Sequence, residues 1–206
     1  MSDPRDAEER DWTAPPRCDD PKTLWEALHD ASIREIASDR LAREVRIELE
    51  LGFPQPPGPC PERVVLLLAG VTHALVYAYW PWSGPWPMPT IPLTPEMRAA
   101  VDQYNRNSRV ETASLDVLQR WIEDETDLDV MAAHLHQTSE GVSLVIDGTT
   151  DNPETASGWQ VRVGAESLDV VQLNGSPLGL DELLRLGNLG WETWSNRPKD
   201  PSAAES

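Results

Sequence analysis

A formal net charge of −18 over 206 residues, with a pI of about 4.4, sets this chain against polyanions. Phosphate backbones and anionic lipid surfaces repel it, while a basic protein attracts it. No run approaches the roughly 18 to 20 consecutive apolar residues of a membrane span, and the opening MSDPRDAEERDW is charged where a secretory signal would be apolar. The chain is therefore expected to bind neither nucleic acid nor membrane and to reside in the cytoplasm. Its two cysteines, Cys18 and Cys60, form no CxxC motif and no disulfide framework, and read as free thiols.

Residues 1–19 are polar, charged and without apolar period, which predicts a disordered lead-in. Asp20 before Pro21, or Thr23 with Glu26 three residues on, offers a cap for a short helix ending near Leu28. The clearest strand signal follows. Val45, Ile47, Leu49 and Leu51 alternate with Glu44, Arg46, Glu48 and Glu50, so one face is apolar and the other charged and turned to water. Ala31, Ile33 and Ile36 make a less regular first arm, and Ser38, Asp39 and Arg40 suit the turn of a hairpin. The loop FPQPPGPCP at 53–61 cannot enter a ladder, because proline has no N–H to donate. The apolar run 64–69 predicts a strand buried on both faces, and 72–80 another strand, with Gly70 marking a turn or bulge between them.

The segment WPWSGPWPMP at 80–89 holds Trp80, Trp82 and Trp86 among four prolines and is expected to be irregular. It reads either as a rigid lid over the sheet end or as an exposed aromatic platform for a partner. Thr94, Pro95 and Glu96 open a helix with Met97, Ala100, Val101 and Tyr104 on one face, ending at 105–108. A second helix over 114–123 carries Leu115, Leu118, Trp121 and Ile122. From Leu128 the period returns to two. Leu128, Val130 and Ala132 alternate with Asp129, Met131 and Ala133, and Val142, Leu144 and Ile146 follow a turn at 139–141, which predicts a second hairpin. Trp159, Val161 and Val163 make a further strand, 168–173 another, and Asn174-Gly175 a turn. Leu180, Leu183, Leu184 and Leu186 predict a short terminal helix, with Trp191 and Trp194 packed back on the body and a free tail over 198–206.

The expected fold is thus α+β: mainly antiparallel sheet of about eight strands, sandwich-like or rolled, with three or four short helices. One domain over 20–197 is expected, with a helical insertion at about 90–125.

For chemistry the inventory is thin. There is no GxSxG elbow, Walker loop, HExxH or GxGxxG. His134 and His136, two apart in a strand, share a face, which supplies either an exposed polar pair or two of the ligands a metal-assisted hydrolase needs. A third ligand would have to come from His29, His73, Asp127 or Asp129. His29 and Asp30, as neighbours at a strand entry, are expected to face opposite ways and to play a structural part. The charge pattern says more: over 110–154 eleven acids face one base, Arg120. The densest run is Glu123, Asp124 and Glu125 with Asp127 and Asp129, which reads as a solvated acidic face or as a docking surface for a basic partner.

Several stretches together resemble a group of small bacterial proteins, some of them assigned as immunity proteins of polymorphic toxin systems. They are LHDASI at 28–33, VRIELEL at 45–51, the apolar run at 65–68, Gly70-Val71-Thr72, and PWSGP at 81–85. The resemblance spans about residues 24–86 and ends where the insertion begins. It implies a non-enzymatic, cofactor-free binding protein that neutralises a cognate toxin or another basic protein, and it implies no catalytic duty for His29 or Asp30. Trp80, Trp82 and Trp86 join the acidic run as expected partner-binding residues. The other readings are the hydrolase built on His134 and His136, and a structural accessory protein.

Overall fold

The computed structural model describes residues 22–80, 94–138, 141–151 and 156–196. Its first hairpin pairs β2 (Ser32–Asp39) with β3 (Glu44–Glu50). Asp39 Oδ1 accepts the N–H groups of Leu41 and Ala42 at 2.8 and 2.9 Å, which closes the turn. Val45, Ile47 and Leu49 enter the core as the alternation predicts. The irregularity of the first arm has a physical cause, a bulge between Ile33 and Glu35 that keeps Ile33 and Ile36 on the same buried face.

The water-facing side of β3 needs a correction at Glu48, which is only 7% exposed. Arg46 and Arg63 each lie 3.2 Å from its carboxylate, and Arg46 also reaches Glu35 while Arg63 reaches Glu50. A charge buried between two guanidiniums is held by hydrogen bonds that carry charge on both sides. Glu48→Ala is therefore expected to cost about 1.5 to 3 kcal/mol. Glu44→Ala, at an exposed position of the same face, should leave the urea midpoint unmoved. Equal midpoints for the two variants would mean that Glu48 is as free as the alternation alone implies.

β4 (Arg63–Ala69) pairs with β3 on one side and with β10 (Ser167–Gln172) on the other. Val64, Val65, Leu66 and Leu68 are buried, but Leu67 is 37% exposed, so burial on both faces is not complete. β5 (His73–Trp80) follows across Gly70, which adopts φ +67 where Glu166 crowds it. α2 (Pro95–Asn107) starts as expected, with Thr94 Oγ1 accepting the Met97 N–H at 3.3 Å. Of its expected apolar face only Tyr104 is buried, and Ala100 is exposed. Then β6 (Arg109–Ala113) pairs with β5, so the stretch read as a helical insertion carries a strand between its two helices.

α3 (Leu115–Glu123) packs Leu118 into the core against β2. β7 (Leu128–Thr138) and β8 (Gly141–Thr150) form the second hairpin, and β9 (Gly158–Ala165) pairs with β8 and β5. The alternation read for β7 is corrected within the strand. A register shift between Val130 and Ala132 leaves Met131 47% exposed and turns Ala133 and Leu135, not Ala132, to the core. The terminal helix α4 (Leu180–Ser195) is longer than expected and includes Trp191 and Trp194. Gly187 and Gly190 continue the stripe of Leu183 and Leu186; a Cβ on Gly187 would stand 2.2 Å from the Glu26 carbonyl of α1 (Trp25–Leu28). These glycines lower helix propensity by about 1 kcal/mol each, and close packing is what they gain.

The resulting sheet runs β10-β4-β3-β2-β7-β8-β9-β5-β6, with the two-residue β1 (Lys22–Thr23) beside β7. Among the described residues ten strands stand where about eight were expected; β6 and β1 are the additions. The sheet is antiparallel at every pairing and open, ended by β10 and β6. β4 lies in contact with β9, and β10 with β8, although these are not neighbours in the order. The buried face between them is the core, with α1 and α4 packed together and α1 against β7. No helix among the described residues is long and apolar enough to cross a membrane.

Candidate functional site

The sheet opens between β2 and β7. After the one residue pair Ser32↔Asp129 the two strands diverge, and α3 lies against β2 beyond that point. A trough of about 420 Å³ follows this junction, lined by Glu35, Ile36, Ala37 and Ser38 of β2 and by Asp116, Gln119, Arg120 and Glu123 of α3. Ser38 and Asp116 also line a neighbouring cleft of about 220 Å³ that continues past the hairpin turn toward Val71 and Ala74. Leu115 and Leu118 bury the inner side of α3 and thereby fix its acidic side outward.

The acidic run continues from the C-terminal end of α3. Glu123, Asp124, Glu125 and Asp127 are exposed and Asp129 is half-buried. Glu125 turns the chain with φ 59, and Asp151 accepts the Asp127 N–H at 3.2 Å, adding another carboxylate from the end of β8. The five acids are not equivalent. Arg34 reaches Asp127 at 3.1 Å and Glu50 at 3.0 Å. Burial lowers the Arg34 pKa, but the hydrogen bonds and charges of Glu50 and Asp127 outweigh it and hold the group above its ordinary value. Asp129 accepts the Ser32 hydroxyl at 2.9 Å. Among the described residues Glu123 accepts only the neutral Gln119 amide, at 3.0 Å, and no cation pairs with Glu123, Asp124 or Glu125. The structure thus separates Asp127, which Arg34 compensates, and the half-buried Asp129, held by the Ser32 hydroxyl, from Glu123, Asp124 and Glu125, which stand exposed without a cation.

His134 and His136 do share a face, the outer one, opposite Val145 and Ser143 of β8. His136 is buried, and desolvation together with the charge of His134 lowers its pKa. Beside them lies a polar chain that the sequence did not announce: Arg162 donates to Gln160, and Gln160 donates to Asp147. Burial raises the Asp147 pKa against the opposing pull of Gln160, His134 and Arg162. Arg162 also sits over the Tyr77 ring, 5.1 Å from its centroid. Among the described residues no group of three or more His, Cys, Asp or Glu is placed to hold a metal ion, so His29, His73, Asp127 and Asp129 do not complete a site around the pair.

Comparison with protein-family models, curated proteins and solved structures gave no match.

The tryptophans divide. Trp80 is half-buried with the Arg109 guanidinium 4.4 Å over its ring; Trp82 and Trp86 lie outside the described residues. A separate aromatic patch forms where α1 meets α4. Trp25 and Trp191 stack at 5.8 Å, Trp194 meets Trp191 edge-on at 6.3 Å, and His29 lies 4.7 Å from Trp25. Trp191 packs back as expected, its Nε1 donating to the Glu26 carbonyl at 3.0 Å, whereas Trp194 is 54% exposed. The reading of His29 and Asp30 as facing apart is corrected. The two occupy a turn, Asp30 has φ 62, and His29 Nδ1 lies 3.1 Å from Asp30 Oδ1.

Proposed function

We propose that this is a non-catalytic, cytoplasmic binding protein whose acidic face, from the trough beside β2 to the Glu123–Asp129 loop, docks a basic protein partner. The role is that of an immunity protein that covers the basic active site of a cognate toxin. One observation carries it: Glu123, Asp124 and Glu125 stand exposed and uncompensated next to a trough that itself holds Glu35 and Asp116. On a protein of net charge −18, such a concentration steers a cationic surface and speeds encounter more than it tightens the final complex. The resemblance of residues 24–86 to immunity proteins points the same way.

The test substitutes the uncompensated carboxylates only: Glu123→Gln, Asp124→Asn and Glu125→Asn, asparagine being the amide that best tolerates the left-handed turn. Asp127 stays, because its loss would take one of the two carboxylates that hold Arg34. With a toxin encoded beside this protein as the partner, the on-rate is expected to fall roughly ten-fold or more at low salt. The difference should shrink as the screening length shortens toward about 8 Å. Thermal melting should not change, since exposed charges add little to stability. An unchanged on-rate and undiminished protection in co-expression would reduce the run to a solubility feature.

A further inference from the structure

We infer that the open edge of β2 receives an extended, basic segment of the partner, which joins the sheet as an added strand and displaces the Gln119 side chain. The inference rests on the reading that the partner is basic and docks on this face. Beyond Ser32, β2 keeps its ladder to β3, from Ile36↔Ile47 to Asp39↔Glu44. Among the described residues it has no strand on its other side there. Backbone groups alternate in direction along a strand. The Ile36 N–H points away from β3, because it donates to Gln119 Oε1 at 3.0 Å. The same alternation turns the N–H and C=O of Ser38 that way, and Ser38 is exposed. The Gln119 amide oxygen therefore occupies the place that a neighbouring strand's carbonyl takes in a ladder.

An unpaired edge is a template for another chain's strand, since main-chain hydrogen bonds give affinity whatever the sequence. Here α3 lies beside the edge, and its neutral Gln119 side chain blunts it. The charge of the trough selects the occupant. Glu35, Asp116 and Glu123 line it against Arg120, and Arg120 is turned back to donate to the Asp116 carbonyl at 3.3 Å. Side chains of an added strand alternate between faces, so lysine or arginine at every second position meets these carboxylates.

Two short peptides of equal length and charge test it, one alternating lysine with threonine, the other lysine with proline. The proline peptide keeps the cations but lacks half of the N–H donors. The threonine peptide is expected to bind at low salt at least roughly ten-fold tighter and to slow hydrogen exchange at the Ser38 amide. Ser38→Pro, which removes one outward donor, should bring its affinity down to that of the proline peptide. Gln119→Ala, which frees the Ile36 N–H, should tighten it by roughly three- to ten-fold. That gain in binding keeps the test decisive should Ser38→Pro fail to fold. Equal affinities for the two peptides, with exchange at Ser38 unchanged, would overturn the added strand and leave the acidic docking face standing. Binding of neither peptide would overturn it too, while the docking face would still be judged by the toxin kinetics.

Discussion

Truncation of Ile47 to alanine is expected to lower stability by about 2 to 5 kcal/mol. Ile47 is fully buried at the centre of β3, paired across the sheet with Ile36 on one side and Leu66 on the other. All three belong to the same core cluster, so lost methyl groups leave a cavity whose walls are strands and cannot collapse freely. Against a typical total of about 5 to 15 kcal/mol this is a large fraction. Leu41→Ala is the control: that side chain is 98% exposed in the hairpin turn, and its loss should cost less than about 0.5 kcal/mol. Urea melts with a common slope should separate the two midpoints widely. Coincident midpoints would mean that β3 does not turn this face inward.

Alanine at Gly148 is expected to cost about 1 to 3 kcal/mol by overpacking, although a methyl group is the smallest addition possible. Its Cβ would stand 2.1 Å from Cζ2 of Trp159 and 2.3 Å from the Asp129 carbonyl oxygen. Trp159 is 2% exposed and anchored by its indole N–H to the Thr149 carbonyl at 3.1 Å, so the ring cannot swing away without giving up that bond. Trp159→Ala alone should cost about 3 to 5 kcal/mol. In that background the penalty at Gly148 should shrink by about 0.5 to 3 kcal/mol, yet not vanish, because the Asp129 carbonyl remains. Additive effects in the double-mutant cycle would show that the indole does not lie over the glycine.

Where one face is buried and the other wet, the chain declares itself. The alternation in 45–51 and the turn chemistry at Asp39 made the first hairpin legible, the cap at Thr94 placed α2, and the helical period of Leu115, Leu118, Trp121 and Ile122 placed α3. β6 was not legible, because Arg109, Val110, Glu111 and Thr112 are all exposed on an edge strand and carry no apolar period. The bulge at Met131 was hidden for another reason: one extra residue exchanges the faces of a strand without changing its composition. At the candidate site the acids were visible as a run. Which of them are compensated was not, since Arg34 reaches Asp127 from 93 residues away. The Arg162, Gln160 and Asp147 chain likewise joins side chains of two strands whose register no local pattern specifies. His29 and Asp30 were misread because α1 ends in a turn at those residues, where the strand rule of opposite faces does not apply.

The contact between α1 and α4 has a consequence for how the chain is made. Trp191 donates to the Glu26 carbonyl across 165 residues of intervening sequence, and Gly187 is shaped to fit that same carbonyl. At translation speeds of about 5 to 20 residues per second, α1 leaves the ribosome roughly 8 to 33 seconds before the helix that covers it. Leu24, Ala27 and Leu28, all without exposure in the finished fold, spend that interval without their cover. The first hairpin can pair at once, but the end of the core that α1 closes is finished only when the last helix arrives. A nascent chain stalled before α4 would therefore present a half-built core to whatever holdase meets it.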